Sequence, residues 1–344
     1  MSRRVGRWIA VALAAALALP GAPHAEPQFS WKMQSLWQAG SINQKVFEAF
    51  CARVGEITGG RLVIEPLPVG TVVAYNETLD AVAAGLLDSM HGGTGYFAGK
   101  DPAFSLLADL NGGYDNVRQL HMWLDYGGGI ELGRELFAQY GSYYVGAVSW
   151  GHESIPSKKP IRSLADFKGV KIRAPEGMAQ EIFKRIGAAP VNIPGAEVYT
   201  ALERGVVEAA DWGTLGMNDD LGYHAIAPYP LYPGFHSAPM ADVAVNTDRW
   251  NELPADIKAL VEMAVRDFSR DMVEEIALQD AAVAAHAAEK GIELVSWSAD
   301  ERRKFREVAV EVWAEYAARS PMAKRIYDSH IAFLKRLGLL GASD

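Results

Sequence analysis

Residues 163–212 read SLADFKGVKIRAPEGMAQEIFKRIGAAPVNIPGAEVYTALERGVVEAADW. A strand over 170–174 leads into a helix over 179–186 that stops at Gly187. A second helix over 196–203 stops at Gly205, and a short strand over 208–212 closes the unit. Strands alternating with helices in this way predict an α/β fold with mainly parallel sheets.

The alternation continues on both sides. Upstream, strands are expected over 29–36, 61–66, 89–93 and 142–150, and helices over 41–58, 76–85, 116–126 and 129–140. Phe47, Phe50, Val54 and Ile57 share one face of the first helix, and Gly59-Gly60 ends it. Downstream, 240–246 alternates as a strand and 293–297 reads as another. The stretch 254–290 is one long helix, with Pro254 in its first turn and Gly291 past its end. Two helices fill 299–319 and 322–337.

The strands fall into two groups with no flexible linker between them, so the chain is expected to cross between two lobes more than once. The expected division puts 26–150 with about 240–300 in one discontinuous lobe and 151–239 in the other. The helix 254–290 connects the lobes, and helices over 299–344 end the chain. Ligands of such sheets bind beyond the carboxyl ends of the strands, here in a cleft between the lobes.

Composition narrows the function. The 344 residues are 49% hydrophobic and 22% charged, a folding composition. The net charge of −9 argues against nucleic acid as a partner. Cys51 stands alone, which excludes an internal disulfide and a cysteine-rich zinc site. Arg3, Arg4 and Arg7, an apolar run over 8–19, and small residues up to Ala25 read as a signal peptide over 1–25 and hence a periplasmic protein. Its removal leaves 30 basic against 42 acidic side chains, a net of −12. No later run has the roughly 20 apolar residues that cross a bilayer.

The familiar catalytic motifs are absent from the sequence. The chain has no GxSxG elbow, GxxxxGK[ST] loop or GxGxxG fingerprint, and His152-Glu153 does not continue into HExxH because Pro156 stands where the second histidine belongs. Cys51 reads as a small buried hydrophobe.

The stretch 163–212 resembles the periplasmic substrate-binding proteins of TRAP transporters, the DctP-type family, on the 2-oxo acid and lactate branch. WKMQS at 31–35, GYFAGKDPAF at 95–104 and WLDYGGGIE at 123–131 carry the same resemblance, with weaker support from YPLYPG at 229–234 and KRIYDS at 324–329. The resemblance implies a two-lobed periplasmic binding fold that is not an enzyme, with no required cofactor. It implies a small organic acid as ligand and TRAP membrane permease subunits as partners.

Within that resemblance, Arg173 pairs with the substrate carboxylate, for which a guanidinium is a planar two-pronged donor. Asp211 and Trp212 match the acid-tryptophan pair that holds a cation, sodium or calcium, beside the substrate. Asp211 stands where those relatives carry glutamate. Their glutamine near 152–153 and their tryptophan-glutamate pair are replaced here by His152-Glu153 and by Phe235-His236-Ser237. Glu153 is therefore a candidate to restore a carboxylate ligand, and His152 and His236 are candidates to hydrogen-bond the ligand. Trp37, Tyr96, Phe97, Trp212 and Phe235 are the aromatic candidates for the pocket wall.

Alternatives stay open at this level. The acid can be aromatic or dicarboxylic, the latter helped by Lys158 and Lys159. A periplasmic metal-assisted hydrolase would use His152, Glu153 and Asp211, and a sensing module would report to a membrane receptor. The chain ends soon after Leu340, so both a monomer and a dimer are compatible with it.

Overall fold

The computed structural model describes residues 27–340; the expected signal peptide lies outside them. Among the described residues, eight strands form two sheets: β1 (Phe29–Ser35), β2 (Leu62–Leu67), β3 (Ser89–Gly93), β4 (Ser142–Ser149), β5 (Lys171–Arg173), β6 (Ala189–Val191), β7 (Ala209–Ala210) and β8 (Met240–Asn246). The larger sheet has the order β2-β1-β3-β8-β4 and the smaller the order β6-β5-β7.

The smaller sheet is parallel throughout, as are the β1–β2 and β1–β3 pairs. β8 is the exception to the parallel expectation. It lies between β3 and β4 and runs antiparallel to both. The chain has then already visited the smaller sheet, so β8 enters the larger one from the opposite end.

Local chemistry explains where the helices begin. The Ser41 side chain caps the Ile42–Ile57 helix by accepting from the Gln44 N–H, and Asn116 caps Val117–Tyr126 in the same way through Gln119. Ser298 and Ser320 cap Ala299–Ala317 and Pro321–Arg336, the latter with Pro321 in its first turn. The long helix runs Ala255–Ala285, with Pro254 at its cap.

The side chains of β8 alternate between two cores. Val243 and Val245 join Trp31, Phe47, Phe50, Val54 and Phe268 on the face covered by the Ile42–Ile57 and Ala255–Ala285 helices. Ala244 joins Met90, Phe104, Leu136 and Phe137 on the other face. That second core continues into Ile172 and Phe183 beside the smaller sheet and into Trp313 and Ile326 of the final helices. Each such aromatic or large aliphatic side chain stabilises by roughly 1.5–3 kcal/mol relative to exposure. The long helix packs on β4, on Ile42–Ile57 and on the Leu215–Asp220 helix that follows β7, and so touches elements next to both sheets.

Two local expectations change. Residues 293–297 are not a strand of either sheet: Val295 alone bridges to Leu231, through the Pro230 and Tyr232 backbone. β6 was not expected. It is a three-residue edge strand, where Pro190 is tolerated because no neighbour needs its missing N–H. No helix among the described residues is long and apolar enough to cross a membrane.

Candidate functional site

The two sheets aim the same ends of their strands at one cavity. Gly93 ends β3 and Arg173 ends β5; Asp211 follows β7, Trp150 follows β4, and Trp37 lies just past β1. Antiparallel β8 contributes its first residue, Met240, for the same geometric reason. The cavity volume is about 150 Å3, counted as space open to the centre of a water molecule. A single water needs about 10–15 Å3 on that measure, so a small organic molecule has room.

Arg173 is 3% exposed and held by two backbone carbonyls. Its Nε donates to the Ile193 carbonyl at 3.0 Å, and its Nη1 donates to the Asp211 carbonyl. The Asp211 N–H in turn donates to the Arg173 carbonyl at 2.8 Å. These contacts fix the orientation of the guanidinium.

Acidic groups crowd beside it. The carboxylate of Asp211 accepts from His236 Nε2 at 2.9 Å, and both residues are buried. Glu153 Oε1 accepts from Trp150 Nε1 at 3.2 Å, and Glu153 Oε2 lies 2.9 Å from Ser237 Oγ. The same Ser237 oxygen lies 2.7 Å from Asp109 Oδ2. A hydroxyl has one proton to give. It satisfies one carboxylate, and the other carboxyl must carry a proton and donate back. Asn111 Nδ2 and the Ala238 N–H complete the set on Asp109, at 2.5 and 3.3 Å.

The acidities follow this arrangement. Burial, then the nearby Asp211 charge, pushes Glu153 well above the usual carboxylate range. Burial pushes Asp109 up to about 7, although part of its carboxyl faces the cavity. Burial works in the same direction on Asp211, but His236, through charge and hydrogen bond, and Arg173 outweigh it and hold Asp211 below its usual range. Among the described residues, Glu153, Asp211 and His236 have ligand atoms within 4.8 Å of one another, the spacing of a metal set.

Aromatic rings form the apolar walls. Trp37 meets Trp150 edge-on at 5.0 Å between centroids, and Tyr75 meets Tyr96 at 4.7 Å. Gly93 must be small, because a Cβ there would sit 2.5 Å from the Tyr96 ring. Gly195 likewise admits the Trp212 indole, whose Nε1 would be 2.8 Å from an added Cβ.

Of the residues singled out in the sequence, Trp37, Tyr96, Glu153, Arg173, Asp211 and Trp212 line the cavity. His236 stands behind the wall, joined to it through Asp211. Phe97 packs into the core against Phe104 at 5.6 Å, and Phe235 stacks on Trp297 at 4.8 Å, so neither lines the cavity. His152 turns its Nε2 to the Tyr114 carbonyl at 3.2 Å, away from Asp211. Lys159 pairs with Glu208 outside the cavity. Asp109, Asn111, Tyr75 and Ser237 also line or close the site and carried no local motif; Asp109-Leu110-Asn111 before Gly112-Gly113 was the available signal.

Known proteins similar to this chain identify its family. The family model for bacterial extracellular solute-binding proteins, family 7 (DctP), matches residues 33–320. A monocarboxylate 2-oxoacid-binding periplasmic protein of a Nostoc species is 30% identical over 315 residues, covering 90% of this chain and 85% of that protein. The crystal structure of a TRAP periplasmic solute-binding protein of Rhodobacter sphaeroides, apo and open, is 40% identical with a TM-score of 0.76, covering 90% of this chain and 99% of that one. A TRAP periplasmic solute-binding protein of Colwellia psychrerythraea with bound calcium and pyruvate is 27% identical with a TM-score of 0.79, covering 90% and 95%. The family consists of transporter binding proteins and not of enzymes. This chain belongs to family 7 of the bacterial extracellular solute-binding proteins.

Proposed function

We propose that the protein captures a small organic monocarboxylate, a 2-oxo or 2-hydroxy acid, in this cavity and delivers it to the membrane permease subunits of a TRAP transporter. The observation that carries the reading is the buried Arg173 guanidinium, fixed by the Ile193 and Asp211 carbonyls on a wall otherwise rich in aromatic rings. The protein engages Nε and one N–H of Nη1, and the second N–H of Nη1 with the two of Nη2 is left as a planar pair of donors for a carboxylate. A buried charge is costly until it is met, so the site favours an anion there even though the whole chain is acidic.

The relatives named for 2-oxoacids or holding pyruvate support the same ligand class. The two sheets are the cores of two lobes, 26–150 with about 240–300 and 151–239, which close on the acid about the segments near 150 and 238. Residues 1–25 act as the export signal, in line with the periplasmic relatives. The reading needs no cofactor: Arg173 supplies the charge that meets the carboxylate. Asp211, Trp212 and Glu153, the sequence candidates for a sodium or calcium ion beside the ligand, all line this cavity.

The aromatic lining makes an aromatic 2-oxo acid the second ligand to try. Thermal unfolding with pyruvate, lactate, malonate and benzoylformate tests the proposal. Monocarboxylates should raise the melting temperature, because a ligand that binds only the folded state stabilises it in proportion to ln(1 + [L]/Kd). No stabilisation by any acid overturns it.

A further inference from the structure

We infer, resting on the carboxylate reading above, that this chain binds its acid without sodium or calcium, His236 and neighbouring protein donors having taken up the positions a hard cation would need. The Colwellia relative holds calcium with its pyruvate, so a cation is the natural expectation for this site. Hard cations take oxygen ligands, roughly 6–8 of them for calcium. Among the His, Cys, Asp and Glu side chains of the described residues, the three atoms close enough to share one ion are two carboxylate oxygens and an imidazole nitrogen.

That nitrogen is not free to bind metal. His236 Nε2 lies 2.9 Å from Asp211 Oδ1. A carboxylate only accepts, so Nε2 carries a proton and donates it, which leaves no lone pair for an ion. The imidazole is 1% exposed and packed among Phe183, Phe235 and Phe305, at centroid distances of 5.8, 6.0 and 6.5 Å. It cannot swing aside without unpacking them.

The oxygens are engaged as well. The Asp211 backbone carbonyl accepts from Arg173, Glu153 Oε1 accepts from Trp150, and Glu153 Oε2 shares the Ser237 hydroxyl with Asp109. With the imidazole nitrogen closed to it, a sodium or calcium ion would compete with these donors for the oxygens that remain. His236 is accordingly a positioning residue. It holds the Asp211 side chain, while the Asp211 main chain holds Arg173.

The test is calorimetry and thermal unfolding on the full protein, freed of metal with EDTA in potassium buffer. Calcium alone, at millimolar concentration, should neither bind saturably nor shift the melting temperature. The pyruvate Kd should change by less than about twofold on adding calcium or sodium. Saturable calcium binding, or a Kd at least tenfold tighter with either ion, overturns the inference. So does binding of manganese or zinc that is lost in His236→Gln, since that shows the imidazole acting as a ligand.

His236→Glu restores an all-oxygen set and should make pyruvate binding about tenfold tighter with calcium than with EDTA. A folded His236→Glu protein that ignores calcium contradicts the role given to His236. If that variant does not fold, the wild-type calcium arms decide by themselves. If pyruvate and the other acids bind in no buffer, the carboxylate reading falls, while calcium alone on the wild type still tests the donor set.

Discussion

Arg173 and Asp211 hold each other through the main chain. The Asp211 N–H donates to the Arg173 carbonyl at 2.8 Å, and the Arg173 guanidinium donates back to the Asp211 carbonyl. The pairing of β5 with β7 therefore fixes the direction of a guanidinium that lines the cavity.

Arg173→Lys keeps the charge and loses the fork. An ammonium cannot span the Ile193 and Asp211 carbonyls and still present a planar pair of donors. Affinity for the acid should fall by more than about tenfold, or about 1.4 kcal/mol, by calorimetry. Unchanged affinity contradicts the assignment.

Gly93→Ala places a Cβ 2.5 Å from the Tyr96 ring. The ring must move, and overpacking of this kind costs about 1–3 kcal/mol. Urea unfolding should show that loss, and the acid should bind more weakly because Tyr96 is a wall of the cavity. A variant that matches the wild type in both measurements shows that Tyr96 has room the structure does not give it.

Ser237→Ala removes the hydroxyl between Asp109 and Glu153. Two buried carboxyls then lose their shared partner, at a cost of about 1–3 kcal/mol for unsatisfied polar groups. Urea unfolding at neutral pH reads this directly; a stability equal to wild type argues that the bridge contributes nothing.

Asp242 on β8 gives a pH signature away from the cavity. Thr94 Oγ1 donates to its Oδ1, Oδ2 has no partner, and burial pushes the carboxyl up to about 8 from a usual value near 3.8. The folded state holds this proton between those two values and the unfolded state does not. The contribution is thus fully present below the lower value and is lost as pH rises through the upper one. Asp242→Asn cannot titrate. Its stability relative to wild type should improve from about pH 4 to about pH 8, by at most roughly 1.4 kcal/mol per pH unit. A flat difference between the two proteins across that range contradicts the buried proton.

Legibility in the sequence divided along physical lines. The strand holding Arg173 was readable because the sequence around it is locally punctuated, with Gly169 before it and Gly187 after the following helix. β6 was not, since three residues containing Pro190 form a strand only because β5 is there to pair with. Residues 293–297 carried a strand-like pattern, yet the partner at 228–232 offers them a single bridge. Tyr96 and Phe97 are neighbours with the same aromatic signal. The short helical turn Thr94–Phe97 sends Phe97 into the core and leaves Tyr96 at the cavity. Asp109 was silent because its role depends on Ser237, far along the chain. Trp212 and Asp211 were legible as a pair, but the engagement of Asp211 by His236 is a long-range contact that no spacing announces.

If Arg173 receives a carboxylate and the ligand is not turned over, calorimetric titration with a 2-oxo or 2-hydroxy acid and with its uncharged methyl ester, followed by NMR of the recovered ligand, should show three things. The acid binds saturably at one site, the ester binds at least about tenfold more weakly, and the ligand is recovered unaltered. Equal binding of acid and ester, or a new product in the spectrum, would contradict this reading.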